Sequence, residues 1–165
     1  MTEEVGLPLN LRPDVNDHNC FGCGKLNLHG LHLALLPDPQ GDGVITYFTP
    51  PLHAEGYTGM VHGGIISTIL DEVMAWSLYR NGIWAVTAEL TTRYRRPVEV
   101  GVPLVARGWV AQDRGRVLDL VGEIRREADN QLLAEGTARF MRVPESQAAT
   151  WQQRYGGIVR QEETP

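Results

Sequence analysis

From residue 63 to about residue 80, the apolar side chains of Ile66, Ile69, Leu70, Val73 and Met74 recur at i, i+3, i+4, i+7 and i+8, and Ile65 and Trp76 widen the stripe. That period is helical, and so broad a stripe predicts a helix that is mostly buried. Gly63 or Gly64 opens it, and Asn81-Gly82 supplies a stop of the kind helix C-termini prefer. The flanking sequence reads as strands. Residues 31–36 and 44–48 are expected to pair as a hairpin across a turn at 37–43, and a proline-rich loop at 50–61 leads into the helix. Four strands follow it. On the first, Val86, Ala88, Leu90, Thr92 and Tyr94 are expected on one face, with Thr87, Glu89, Thr91, Arg93 and Arg95 on the other. The rest are expected at 104–111, 117–125 and 132–142, joined by turns at Asp113-Arg114-Gly115 and Ala128-Asp129-Asn130. The simplest way to bury one apolar helix among six strands is to curve an antiparallel sheet around it, which gives an α+β domain.

At 165 residues the chain is the size of one domain. Residues 1–17 and 144–165 read as peripheral segments around a domain at 18–143. The net charge of -5 argues against a nucleic-acid binder, which needs a basic surface to displace counterions. No apolar run approaches the roughly 18 residues that cross a bilayer, and the N-terminus lacks the basic start and apolar stretch of a signal peptide. Two cysteines, Cys20 and Cys23, are too few for a disulfide framework. The expectation is a cytoplasmic protein without membrane or nucleic-acid partners.

Asp71 falls on the helix side away from the apolar stripe, among Ser67, Thr68 and Ala75. It is either a solvated carboxylate or one given room, by small neighbours, to face a ligand or a second subunit. His62-Gly63-Gly64 precedes the first turn, whose backbone N–H groups have no intrahelical acceptor. Glycine there lets a ligand oxygen approach closely enough for an oxyanion to be stabilised; on the motif alone, a plain glycine-rich helix entry with a structural His62 is the simpler reading. Gly63 and Asp71 are eight residues apart, about 12 Å along a helix, whereas one reacting carbonyl needs both within about 3 Å. If both act on one substrate, they come from different subunits related by a two-fold axis.

Gly59-Met60-Val61-His62-Gly63-Gly64, Asp71-Glu72, Thr87-Ala88-Glu89-Leu90 and Tyr94-Arg95-Arg96-Pro97-Val98 together resemble the hotdog-fold acyl-CoA thioesterases of the phenylacetate-pathway, PaaI-like type. The resemblance runs from about residue 18 to 143 and includes Cys20-Phe21-Gly22-Cys23-Gly24 with Asn27 and Gly30-Leu31. It implies a curved antiparallel sheet wrapped around one long central helix, and hydrolysis of an acyl-CoA thioester by a homodimer. Whether two dimers pair into a tetramer stays open. Asp71 is implied as general base or nucleophile, Gly63 as the amide that polarises the thioester carbonyl from the other subunit, and Thr87 as the hydroxyl that holds water. Arg93, Arg95 and Arg96 are implied near the phosphates of coenzyme A, and Thr58, Met60, Val61 and Gly64 are expected against the acyl-CoA. Some relatives carry a polar amide side chain six residues before the histidine, where this chain has Gly56; His62 or Thr58 would then substitute for it.

Other readings stay open on the residues alone. Thr87 is also an ordinary β-branched strand residue, and Glu89 is a reserve acid or base. A hydratase or dehydratase of acyl thioesters would rely on His62, and a non-catalytic acyl-CoA binding module would rely on neither His62 nor Asp71. Trp76, Trp84, Tyr57 and Met60 would line an acyl pocket or belong to the core. Cys20 and Cys23, with His18, His29 and His32 nearby, form a Cys-x-x-Cys pattern whose histidine spacing matches no standard zinc signature. The expectation is a glycine-rich structural turn, no metal, and no cofactor beyond the coenzyme A of the substrate.

Overall fold

The computed structural model describes residues 18–155. The expected peripheral segment at 1–17 and the last part of the one at 144–165 lie outside the described residues. Strands β1 (Leu36–Pro37) and β2 (Val44–Phe48) precede helix α1 (Gly63–Tyr79). Then come β3 (Ala85–Tyr94), β4 (Leu104–Asp113), β5 (Val117–Arg126), β6 (Leu132–Arg142) and helix α2 (Glu145–Tyr155). The strands form one sheet in the order β1-β2-β4-β5-β6-β3, with every neighbouring pair antiparallel. This is the expected sheet wrapped on a single helix, and β3 forms one edge.

A row of glycines seats the helix. Gly108, Gly122 and Gly136 are cross-strand partners on β4, β5 and β6. A Cβ at Gly108 would lie 2.4 Å from the Val73 backbone, and those at Gly122 and Gly136 would come within 3.2 and 3.3 Å of Leu70. The bare backbone lets α1 descend into the sheet's concave face, where Leu70, Val73 and Met74 are fully buried. Each such side chain contributes about 1.5–3 kcal/mol by leaving water. Gly82, at φ +72°, turns the chain out of the helix.

Two expectations need correction. The strand at 31–36 shrinks to Leu36–Pro37, although Leu31, Leu33 and Leu35 are all buried. The N–H groups of Leu31 and Leu33 donate to the carbonyls of Phe21 and Gly22 instead of to β2, so this stretch is tied to the cysteine loop. On β3, Thr87 pairs with Phe140 and Glu89 with Arg139, which leaves Ala88 as an extra, bulged residue. The bulge shifts the alternation by one. Ala85 and Thr87 before it, and Leu90, Thr92 and Tyr94 after it, therefore face α1, while Val86 is exposed. No helix among the described residues is long and apolar enough to cross a membrane.

Candidate functional site

The polar side of α1 faces β3 and is held to it by hydroxyls. Tyr94 donates to the Gly63 carbonyl at 2.9 Å, and Ser67 lies 2.9 Å from the Thr92 hydroxyl and 3.0 Å from that of Tyr94. One turn beyond Ser67, the Thr87 hydroxyl donates to Asp71 Oδ1 at 2.7 Å. The bulge at Ala88 makes this contact possible, because without it Thr87 and Tyr94 would point to opposite faces of β3.

Asp71 is half-buried in the wall of a cavity of about 590 Å³, whose apolar surface comes from Trp76, Tyr79, Trp84, Phe140, Trp151 and Tyr155. Burial raises the pKa of its carboxyl, and the Thr87 hydrogen bond opposes part of that rise. A carboxylate taken out of water without a cation beside it holds a proton more readily, which suits a general base. Glu89 is largely exposed, with its carboxylate 3.9 Å from Arg139, and does not line this cavity.

α2 supplies part of the cavity wall, with Trp151 packed edge-on to Trp84 and Tyr155 tilted against it. Opposite, the loop at 20–24 brings its thiols to α1. Cys20 Sγ lies 3.8 and 3.9 Å from the two carboxylate oxygens of Glu72, and Trp76 Nε1 donates to Glu72 at 3.0 Å. Burial pushes the Glu72 carboxyl up to about 7, and the Cys20 thiolate beside it adds to the rise. Hydrogen bonding from the Cys23 thiol draws the Cys20 thiol down to about 5, helped by the backbone N–H groups of Cys23 and Gly22. Glu72 completes this group in place of the nearby histidines. His32 instead contacts the Asn27 carbonyl, and only His18 also lines the cavity.

The N-terminal end of α1 opens into a second cleft of about 630 Å³, lined among others by Tyr57, Met60, Val61, His62 and Gly63. The Gly63 N–H has no acceptor among the described residues. The Gly64 N–H is taken by His62 Nδ1 at 2.9 Å, so His62 caps the helix and its ring proton sits on Nε2. A Cβ at Gly56 would stand 3.1 Å from the His62 Cα, so the histidine fills the space next to the position where some relatives carry an amide.

Arg95 and Arg96 also line this cleft. Arg95 is paired with Glu135, whereas Arg96 has no ion pair among the described residues. Arg93 sits opposite Glu135 on the sheet face away from the helix, and Thr58 is exposed outside the cleft lining. The structure thus groups the candidates into two sets on α1, one at Asp71 with Thr87 and one at Gly63 with His62. They are separated by the eight-residue rise of about 12 Å.

A family model described as thioesterase superfamily matches residues 58–133. Acyl-coenzyme A thioesterase THEM4 of Xenopus laevis is 32% identical over 101 residues, 61% of this chain and 45% of that protein. The chain therefore spans about half the length of this curated relative. A crystal structure of a thioesterase superfamily protein matches with a TM-score of 0.70 and 28% identity, covering 74% of this chain and 63% of the other. PaaI of E. coli shares the fold at a TM-score of 0.63 and 19% identity, over 69% of this chain and 81% of its own.

Proposed function

We propose that this chain is an acyl-CoA thioesterase, which hydrolyses its substrate to a free acid and coenzyme A; the match of residues 58–133 to the thioesterase superfamily model and the hotdog fold support this reading. The observation that carries this reading is Asp71, desolvated in an aromatic-walled cavity and oriented by Thr87. Asp71 takes a proton from a water that lies beside the Asp71–Thr87 hydrogen bond and donates to the carboxylate, and the hydroxide so formed attacks the thioester carbonyl carbon. The carbonyl oxygen becomes an oxyanion, which the Gly63 N–H and the His62 Nε2–H of a second subunit stabilise. Collapse of the tetrahedral species breaks the carbon–sulfur bond and releases coenzyme A as its thiolate. No step requires a cofactor. The cavity beside Asp71 suits a bulky apolar acyl group.

A second subunit is part of this proposal. One chain holds its amide and carboxylate too far apart for a single carbonyl, and β3, ten residues long, leaves one edge unpaired among the described residues. An isologous dimer that pairs this edge with its copy covers the exposed strand and brings the Gly63 end of one helix to the Asp71 cavity of the other. Two free thiols suit a reducing compartment, and the cytoplasm is the location that fits.

Thiol release from acyl-CoAs carrying acetyl, medium-chain and arylacetyl groups tests the proposal. Release should be fastest with the larger acyl groups. Turnover of enoyl- or hydroxyacyl-CoA without thiol would instead reveal a hydratase, and its absence with every thioester would remove the hydrolase reading.

Two further expectations concern the Gly63 cleft. Arg96→Ala should raise KM for acyl-CoA by about 10- to 150-fold with kcat held, because one charge-assisted phosphate contact is worth on the order of 1.5–3 kcal/mol. Steady-state kinetics read this directly. His62→Ala should cost about 1 kcal/mol of stability through the lost cap, whereas His62→Asn keeps a capping oxygen and should melt near wild type. Both should lower kcat by about 10² to 10³, the scale of one lost oxyanion donor. Thermal melts alongside kinetics separate the capping role from the chemistry.

A further inference from the structure

The loop that covers α1 at Glu72 is built around its two cysteines. The Gly24 N–H closes a turn on the Cys20 carbonyl at 2.9 Å, and the Gly22 and Cys23 N–H groups approach the Cys20 sulfur. Gly24 has no room for a side chain, and one at Gly22 would have to displace the Glu72 carboxylate. A Cβ at Gly22 would meet Glu72 Oε2 at 2.5 Å, and one at Gly24 would meet the Cys20 nitrogen at 2.3 Å. Backbone packing therefore presses the loop onto this one carboxylate, 52 residues away from Cys20 in the chain.

The result is a compact triangle of donors. One atom each from Cys20, Cys23 and Glu72 lies within 4.8 Å of the other two, and the Cys20 sulfur is 3.8 Å from the nearer Glu72 oxygen. Zinc–sulfur bonds of about 2.3 Å and zinc–oxygen bonds of about 2.0–2.2 Å place tetrahedral ligands roughly 3.6–3.8 Å apart. The Cys20–Glu72 spacing is thus that of a filled site, and Cys23 stands near enough to complete it with a small side-chain movement. Charge points the same way. Asp71 lies beside Glu72, neither carboxylate forms an ion pair among the described residues, and no Arg or Lys lines the cavity they share. Acidic groups crowded in a half-buried wall without a cation are costly unless one is bound. Two thiols and a carboxylate form a donor set that favours zinc over magnesium or calcium.

We propose that Cys20, Cys23 and Glu72 bind a zinc-class divalent cation, four-coordinate, with its fourth position open to the cavity beside Asp71. The ion clamps the 20–24 loop to α1 and so stiffens one wall of that cavity. The steps of hydrolysis do not pass through it, so metal content and thiol release can succeed or fail independently.

The full chain, purified under reducing conditions with Zn²⁺ present, should carry about one zinc per chain by elemental analysis. Removing the metal with a chelator should lower Tm by about 5 °C or more. Adding Co²⁺ to the stripped wild-type protein should give the intense visible bands of a tetrahedral ion and the near-ultraviolet sulfur-to-cobalt charge transfer. Cys20→Ser and Cys23→Ser should abolish the sulfur band, and Glu72→Gln should weaken binding at least tenfold. The cobalt titration uses unaltered protein, so the answer does not depend on a variant folding. Reduced, folded protein that takes up neither Zn²⁺ nor Co²⁺ would overturn the proposal. So would cobalt binding that survives both cysteine substitutions, or thiols that resist reduction because they are held as a Cys20–Cys23 disulfide.

Discussion

Replacing Asp71 with asparagine is expected to slow thioester hydrolysis by a factor of about 10² to 10⁴, the range that a positioned general base supplies. The change keeps side-chain shape and leaves an oxygen to accept from the Thr87 hydroxyl, so the loss reports on basicity rather than on packing. Stability should move the other way. The carboxylate is half-buried with no cation paired to it among the described residues, and a neutral amide removes that desolvation cost. Asp71→Asn should therefore melt at or above the wild-type temperature while losing nearly all turnover, the pattern of a residue retained for chemistry at the expense of stability. A variant that keeps wild-type kcat would remove Asp71 from the mechanism.

Gly63 allows an equally direct test, because a backbone amide is removed without breaking the helix only at its first position. Proline is favoured there, and His62 at φ -60°, ψ 135° already has the extended conformation that a following proline requires. Gly63→Pro should lower kcat by about 10² to 10³ through loss of one oxyanion donor. Its control is Gly63→Ala, which introduces the same Cβ 3.2 Å from the Tyr94 hydroxyl but keeps the N–H. The difference between the two variants isolates the amide. Mixing Asp71→Asn with Gly63→Pro subunits then tests where the site lies. In a shared site, half of a random mixture is heterodimer and each heterodimer regains one intact site, so about a quarter of wild-type activity returns. A site contained within one chain recovers nothing. Exchange of subunits followed by a thiol-release assay distinguishes the two.

Local patterns carried a large part of this protein's structure. The stripe from Ile66 to Met74, the stop at Asn81-Gly82 and the turns at 113–115 and 128–130 are each written in a few neighbouring residues. They reappear in the structure as α1 and its loop and as the hairpins β4–β5 and β5–β6. The grouping of His62 and Gly63 at the helix start, with Asp71 on a side of small residues, follows from the same helical geometry. The alternation on β3 did not carry over. Whether a strand takes in an extra residue is decided by its pairing with β6, and that single bulge turns Thr87 from the outer face to the Asp71 side.

The elements and their amphipathic faces were legible in the residues alone, because propensity and periodicity act over one or two turns of chain. So was the fact that one helix holds an amide and a carboxylate too far apart to share a carbonyl, since the rise per residue is constant. Tertiary structure alone decided the rest. The glycine row that seats α1 exists only once three strands are in register. The cavity beside Asp71 needs α2 folded back over Trp84, and Cys20 meets Glu72 only when the loop at 20–24 closes onto the helix. Each is a contact between distant segments. Its energy depends on how whole elements pack, and no short stretch of residues records it.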